Sequence, residues 1–249
     1  MNHLPCFVVL VACVSGMSAV GATLQVTETS DAIAVLCDGA PVLTYHKAVV
    51  PPPAGASPLF ARSGFIHPVH APNGGEVTSI HAADHIHHFG LWHAWTHTTF
   101  RGRELDFWNV LKGLATVRFA SVEAVSQDPG NKAAGFTVNQ EHVALAHDQQ
   151  PEEVVLDERL TVRVHVADDA YVIDYTMVQR NVTDAPQRVR VWPEGKVFFN
   201  YVPIQETPWR IGPGEAITLR YRMLVCSGRA PTADVDARWQ NYAAEAATP

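Results

Sequence analysis

Leu160-Thr161-Val162-Arg163-Val164-His165-Val166 changes between apolar and polar side chains at every step. Successive side chains of an extended chain point to opposite faces. Leu160, Val162, Val164 and Val166 therefore share one face, and Thr161, Arg163 and His165 share the other. This is the pattern of a half-buried strand in an antiparallel sheet. It recurs downstream. Tyr171, Ile173, Tyr175 and Met177 alternate with Val172, Asp174, Thr176 and Val178, and Ile217, Leu219, Tyr221, Met223 and Val225 form another apolar row. Residues 114–125 and 135–145 are further strand candidates. Near the start of the chain, Ile33-Ala34-Val35-Leu36 and Pro41-Val42-Leu43-Thr44-Tyr45 flank Asp38-Gly39, a hairpin signal. Turn residues separate the later strands at Asp128-Pro129-Gly130-Asn131, Asp168-Asp169, Asp184-Ala185-Pro186 and Gly212-Pro213-Gly214. Strands so spaced predict an all-β fold, a sandwich or barrel, and we expect an antiparallel β-sandwich. Only residues 232–247 read as helix.

The chain has 249 residues, 47% apolar and 17% charged, enough to build a sizeable core and too apolar for a disordered protein. Its formal net charge is −7, and it has no long basic run, which argues against nucleic acid or an anionic membrane as partner. The first charged residue is Glu28, and residues 4–22 are apolar and rich in small side chains. We read residues 1–22 as a signal peptide cut after Val20-Gly21-Ala22, and residues 23–249 as a single β-sandwich domain. The expected location is periplasmic or secreted, with no membrane span. Leu10-Val11-Ala12-Cys13 has the form of a lipoprotein box, so anchoring through Cys13 is the alternative. Of the mature cysteines, Cys37 and Cys226, sequence permits either a bridge or two free thiols. The chain lacks GxGxxG, P-loop, GxSxG and HExxH motifs, which removes support for dinucleotide, nucleoside-triphosphate and α/β-hydrolase chemistry.

The concentrated chemistry is Asp84-His85-Ile86-His87-His88-Phe89-Gly90-Leu91-Trp92-His93-Ala94-Trp95-Thr96-His97. On a strand, His85 and His87 fall on one face, roughly 6–7 Å apart. That pair suits a metal ion, but zinc needs three or four ligands, and no third is nominated locally. His93 and His97 lie roughly 13 Å apart along a regular strand and cannot share an ion there. The metal-free reading uses imidazole as acid or base near neutrality. Asp84 could set a tautomer, and Trp92, Trp95, Phe107 and Trp108 offer flat apolar faces of the kind sugar rings pack on. Arg62 and His67 lie in Arg62-Ser63-Gly64-Phe65-Ile66-His67-Pro68. Arg62 would pair with a substrate oxygen or a carboxylate. Glu158, in Leu156-Asp157-Glu158-Arg159, is read as the start of a strand, a carboxylate partner for a histidine acid but expected at the surface. Each of these histidines also has a purely structural reading.

At these residues the chain resembles a family of exported bacterial proteins of unknown function that often carries the label methane oxygenase or PmoA-like. The resemblance runs through Asp38-Gly39-Ala40-Pro41-Val42-Leu43-Thr44-Tyr45, the Arg62 and Asp84 segments, and Gly212-Pro213-Gly214-Glu215 with Leu219-Arg220-Tyr221-Arg222. It implies a large β-sandwich, of the mutarotase-like supersandwich kind, and a role near carbohydrate catabolism. Two departures stand out. Phe89 replaces a third consecutive histidine, and after Val189-Arg190-Val191 the chain jumps almost directly to Phe198-Phe199-Asn200-Tyr201, skipping a Gly- and Arg-rich segment.

The expectation is an exported carbohydrate-active protein performing epimerisation, hydrolysis or elimination on a small-molecule or glycan substrate. His85, His87 and His88 are its candidate catalytic residues, and Arg62, His67, Asp84, Trp92 and Glu158 its candidate binding residues. No cofactor or metal-ligand set is assigned. The alternatives are a non-catalytic carbohydrate-binding or assembly module and a His-ligated metalloprotein.

Overall fold

A computed structural model describes residues 21–189, 208–228 and 232–246. Residues 1–20 of the expected leader and the expected skip after Val191 lie outside these residues. The strands are β1 (Leu24–Glu28), β2 (Ala32–Cys37), β3 (Ala40–His46), β4 (Phe65–Val69), β5 (Ile80–Ala82), β6 (His85–Phe89), β7 (Thr98–Phe100) and β8 (Arg103–Leu105). They continue with β9 (Ala115–Gln127), β10 (Ala133–Ala144), β11 (Glu153–Ala167), β12 (Ala170–Asn181), β13 (Gln187–Val189), β14 (Trp209–Ile211) and β15 (Ala216–Cys226), followed by helix α1 (Thr232–Ala246). One sheet runs β1-β2-β3-β4, and a longer one runs β15-β12-β11-β10-β9. A third runs β14-β13-β7-β8, and β5 and β6 pair alone. The pairings are antiparallel.

Turn chemistry places the hairpins where the sequence puts them. Asp38 and Gly39 take φ of 50° and 81°, so Cys37 pairs directly with Ala40. That left-handed pair matches the twist of the flanking strands. Asp168, at φ 56°, opens the turn that pairs Ala167 with Ala170.

The first and second sheets bury their apolar faces against each other. Leu24, Ile33, Val35, Leu43, Tyr45 and Ile66 on one side share a core with Phe136, Val138, Leu160, Val162, Ile173 and Met177 on the other. The Tyr45 ring sits 5.2 Å from that of Phe136. Each such side chain contributes roughly 1.5–3 kcal/mol of burial. The result is an all-β, sandwich-like fold. Helix α1 attaches through Arg222, which bonds Glu245 at 2.9 Å and lies over Tyr242. Cys37 and Cys226 are both free thiols, which resolves that alternative. No helix among the described residues is long and apolar enough to cross a membrane.

The histidine motif is fastened to the first sheet just beyond β6. Leu91 and Ile66 exchange two backbone hydrogen bonds of 2.9 Å. Gly90 permits this approach. Its φ is +60°, and a Cβ there would lie 2.3 Å from the Ile66 carbonyl oxygen. Gly90→Ala should therefore cost about 1–3 kcal/mol of stability, from strained backbone plus steric displacement, read by urea denaturation. A loss below about 0.5 kcal/mol, the size of an ordinary surface change, would show that the close approach is dispensable.

Candidate functional site

Strand β6 and the loop after β8 build an outer, half-buried cluster. The rings of His85 and His87 are 5.8 Å apart, those of His85 and His88 4.9 Å, and those of His87 and His88 5.0 Å. Strict alternation would send His88 to the opposite face, yet it joins the other two. The physical reason is that β6 is short, paired only with β5, and its register shifts between Ile80 and Ala82. Trp108 stands edge-on to both His87 (4.2 Å) and His88 (5.6 Å). Its loop is set by buried Asp106, whose Oδ1 accepts from the backbone of Trp108 and Asn109 and whose Oδ2 pairs with Lys112 at 2.8 Å. Asp84 is solvent-exposed and contacts His85 Nδ1 at 3.0 Å, and the hydrogen bond from His85 holds its carboxyl below the usual range. Burial, aided by the neighbouring His88 and His85, pushes His87 down to about 4, and burial lowers His88 as well. Both rings are therefore neutral at pH 7. His87 Nε2 is shielded from solvent and has no hydrogen-bond partner. Among the described residues, no group of three or more His, Cys, Asp or Glu side chains is placed to hold a metal ion.

An inner layer lies between the sheets. Gln140, Glu158 and Gln179 are direct cross-strand partners on β10, β11 and β12. Gln140 Nε2 donates to Glu158 Oε1 at 2.6 Å, and Gln179 Nε2 donates to Oε2 at 2.6 Å. His142 Nε2 donates to the same Oε2 at 2.9 Å. Tyr45 Oη donates to Gln140 Oε1, and Trp95 Nε1 to Gln179 Oε1. Gln179 Nε2 also reaches His93 Nδ1 at 3.2 Å. Phe107 packs its ring 5.3 Å from His142, so Phe107 and Trp108 link the inner layer to the outer one.

Glu158 is only 1% exposed, which overturns the surface placement expected from sequence. The strand begins at Glu153, not near Glu158, and Glu158 keeps the phase of Leu156 and Leu160 on the inward face. That phase was readable, as it was for Gln140 and His142 beside Phe136 and Val138, and for Gln179 beside Tyr175 and Met177. Glu158 partners His142, not the β6 histidines. Its neighbours His93 and Trp95 belong to a segment that has left the strand, so strand spacing never applied to His93 and His97. His97 instead faces Glu104 at 3.4 Å.

Arg62 is 2% exposed and meets no carboxylate. Its Cζ lies 4.3 Å from the centre of the Trp92 ring and 5.4 Å from that of Phe89. Trp92 thus stands with Arg62, a contact that the sequence reading did not foresee. His67 does not: its Nδ1 bonds Thr78 at 3.1 Å and its Nε2 faces Glu76 at 3.9 Å. A surface hollow of about 410 Å³ on the long sheet, lined by Lys132, Arg163, His165, Asp174 and Arg222, contains none of the candidate residues.

Burial alone would push the Glu158 carboxyl upward, but the His142 bond, the nearby histidine charges and the Gln179 bond bring it down to about 2. Burial drives His93 from 6.5 down to about 4, against the pull of Glu158. Both shifts have one consequence. Between pH 6.5 and 4 the unfolded chain takes a proton at His93 that the folded chain refuses, so stability falls as pH falls. Below the unfolded glutamate value the Glu158 contribution, on the order of 3 kcal/mol, is lost in turn as pH approaches its folded value. His93→Asn, which keeps an acceptor for Gln179, should flatten the upper part of this profile in urea denaturations at pH 7, 5.5 and 4. An unaltered slope would mean that His93 is not the group responsible.

No curated protein and no solved structure matches the chain. A protein-family model described as a family of unknown function, DUF6807, matches residues 32–188 and 183–240. The two segments overlap at residues 183–188, and together they span most of the chain. The protein therefore belongs to DUF6807, a family of unknown function.

Proposed function

We propose that this protein is an exported carbohydrate-active protein whose ligand packs on Trp108 and is held by His85, His87 and His88. The observation that carries the reading is the placing of two imidazoles, His87 and His88, against one half-buried tryptophan, with His85 packed on both and His87 Nε2 left unpartnered. An indole face matches the C–H face of a sugar ring, and flanking imidazoles match its hydroxyls. A neutral imidazole carries both a donor and an acceptor nitrogen, so it can bond a hydroxyl in either sense or move a proton. His85 is tied to Asp84, and His87 carries the unpartnered nitrogen, so His87 is the first candidate for proton transfer. Epimerisation, hydrolysis and elimination on a sugar all need such a group. The resemblance of the Asp84-to-Trp92 motif to PmoA-like exported proteins supports a periplasmic or secreted location.

One observation favours a second reading, a non-catalytic carbohydrate-binding module. Glu158, the carboxylate that might have completed an acid–base pair with these histidines, accepts three hydrogen bonds within the inner layer and touches none of them. Binding without turnover is the outcome that separates the two readings.

The test is calorimetry with a panel of mono- and oligosaccharides, combined with product analysis after incubation. His87→Ala/His88→Ala is expected to weaken sugar binding at least about tenfold, the equivalent of one good polar contact, and to abolish any turnover. Circular dichroism should show the fold intact. Affinity and turnover equal to the parent protein would sink the reading. Binding with no product from any sugar would select the binding module, and no binding at all would remove both.

A further inference from the structure

The inner layer contains a cation with nothing to hold. Nε, Nη1 and Nη2 of Arg62 are all shielded from solvent, and none makes a hydrogen bond. A guanidinium carries five N–H donors in a planar fork, and sealing such a group away without acceptors is strongly unfavourable. The nearest buried carboxylate does not relieve it. Glu158 lies close enough for its charge to be felt at Arg62, as do Tyr175 and Tyr45. Its oxygens are already engaged, Oε1 by Gln140 and Oε2 by His142 and Gln179. Arg62 lies over Trp92 and Phe89, whose rings stand edge-on to each other 5.8 Å apart and so meet it from one side, while its N–H groups stay unmet. Burial pushes its pKa down to about 9, so it remains a cation at neutral pH.

We infer that Arg62 is a carboxylate-recognition residue and that, on the carbohydrate reading above, the ligand is an acidic sugar such as a uronic acid. A planar carboxylate takes two parallel N–H bonds from a guanidinium fork, which is the geometry Arg62 leaves open. Trp92 is the route. It touches Arg62 and is itself partly exposed, and it lies just past the Gly90–Leu91 anchor, in a stretch outside the strands. In the structure described here the guanidinium is closed off, so binding requires Trp92 to swing aside. Arg62 would then exchange its contact with the Trp92 indole for a contact with the carboxylate of the sugar. The competing account makes Arg62 only a distant counter-charge for Glu158. That account predicts no discrimination between charged and neutral ligands.

The experiment is calorimetry at pH 7 on the mature chain with two matched pairs, glucose against glucuronate and galactose against galacturonate, and with malonate as a carboxylate lacking a ring. A uronate should bind at least tenfold more tightly than its neutral partner. Arg62→Met should abolish that preference, and Arg62→Lys should keep part of it. Equal affinity within both pairs overturns the inference, and so does a preference that survives Arg62→Met. If Arg62→Met fails to fold, the pairs on the parent protein and on Arg62→Lys decide by the same criteria. Failure of the two readings looks different. Neutral sugars bound without acid preference sink the Arg62 inference alone. Malonate bound through Arg62 with no sugar bound sinks the carbohydrate reading and keeps the carboxylate site. No binding of any carboxylate overturns the inference outright.

Discussion

The Glu158 carboxylate, sealed between two sheets and met by three donors, is the constraint around which the interior is arranged. A buried charge is tolerated only when its lone pairs are filled, so each donor has to arrive from a set position. Two of them come from its own row, Gln140 on one neighbouring strand and Gln179 on the other. The row therefore specifies register as well as satisfying charge. A slip of one residue would turn these side chains outward and bring their outward-facing neighbours in. Gln179 extends the effect beyond the sheet, because its carbonyl oxygen takes the Trp95 indole N–H. The segment that follows the histidine motif is thus tied to the long sheet at one end, and through Leu91 to the short sheet at the other.

Around those two ties the protein sets up a graded environment. The outer histidines are half-buried, with His87 and His88 against Trp108, while His93, His142 and Glu158 lie within the polar layer behind them. Burial keeps His87, His88 and His93 uncharged at neutral pH, so the site presents imidazoles as hydrogen-bonding groups rather than cations. The positive charge is concentrated in Arg62, which stacks on aromatic rings instead of pairing with a carboxylate. A guanidinium tolerates such a place better than an ammonium would, since it is weakly hydrated and its flat faces suit aromatic contact.

Particular residues show where the sequence could be read and where it could not. The alternation through Leu160 to Val166 predicted its strand correctly, and continuing the same phase back to Glu158 would have placed that carboxylate inside. Instead its charge suggested the surface, because most carboxylates stay there. The prediction from residue type failed where the prediction from periodicity would have succeeded. His88 is the opposite case: it is one residue out of phase with His87, yet a short, irregular hairpin gathers all three rings. For His93 there was no period to follow, because its backbone is held by pairing at Leu91 and by the Trp95 bond, neither of which local sequence encodes.

What this sequence determined by itself is what depends on neighbours along the chain. The two-residue alternation sets strand and face, Asp38-Gly39 and Asp168-Asp169 set turns, and together they yield antiparallel sheets with one buried side. The tertiary structure decided which buried polar groups meet. Gln140, Glu158 and Gln179 are roughly twenty residues apart in sequence and become partners only when three strands lie side by side. Arg62 is nearly one hundred residues from Glu158, and its isolation follows from how the two sheets face each other. Hydrogen bonds and Coulomb forces act over a few ångströms of space whatever the separation along the chain. The chemistry of the site was therefore visible as residue types in the sequence, and became an arrangement only in the fold.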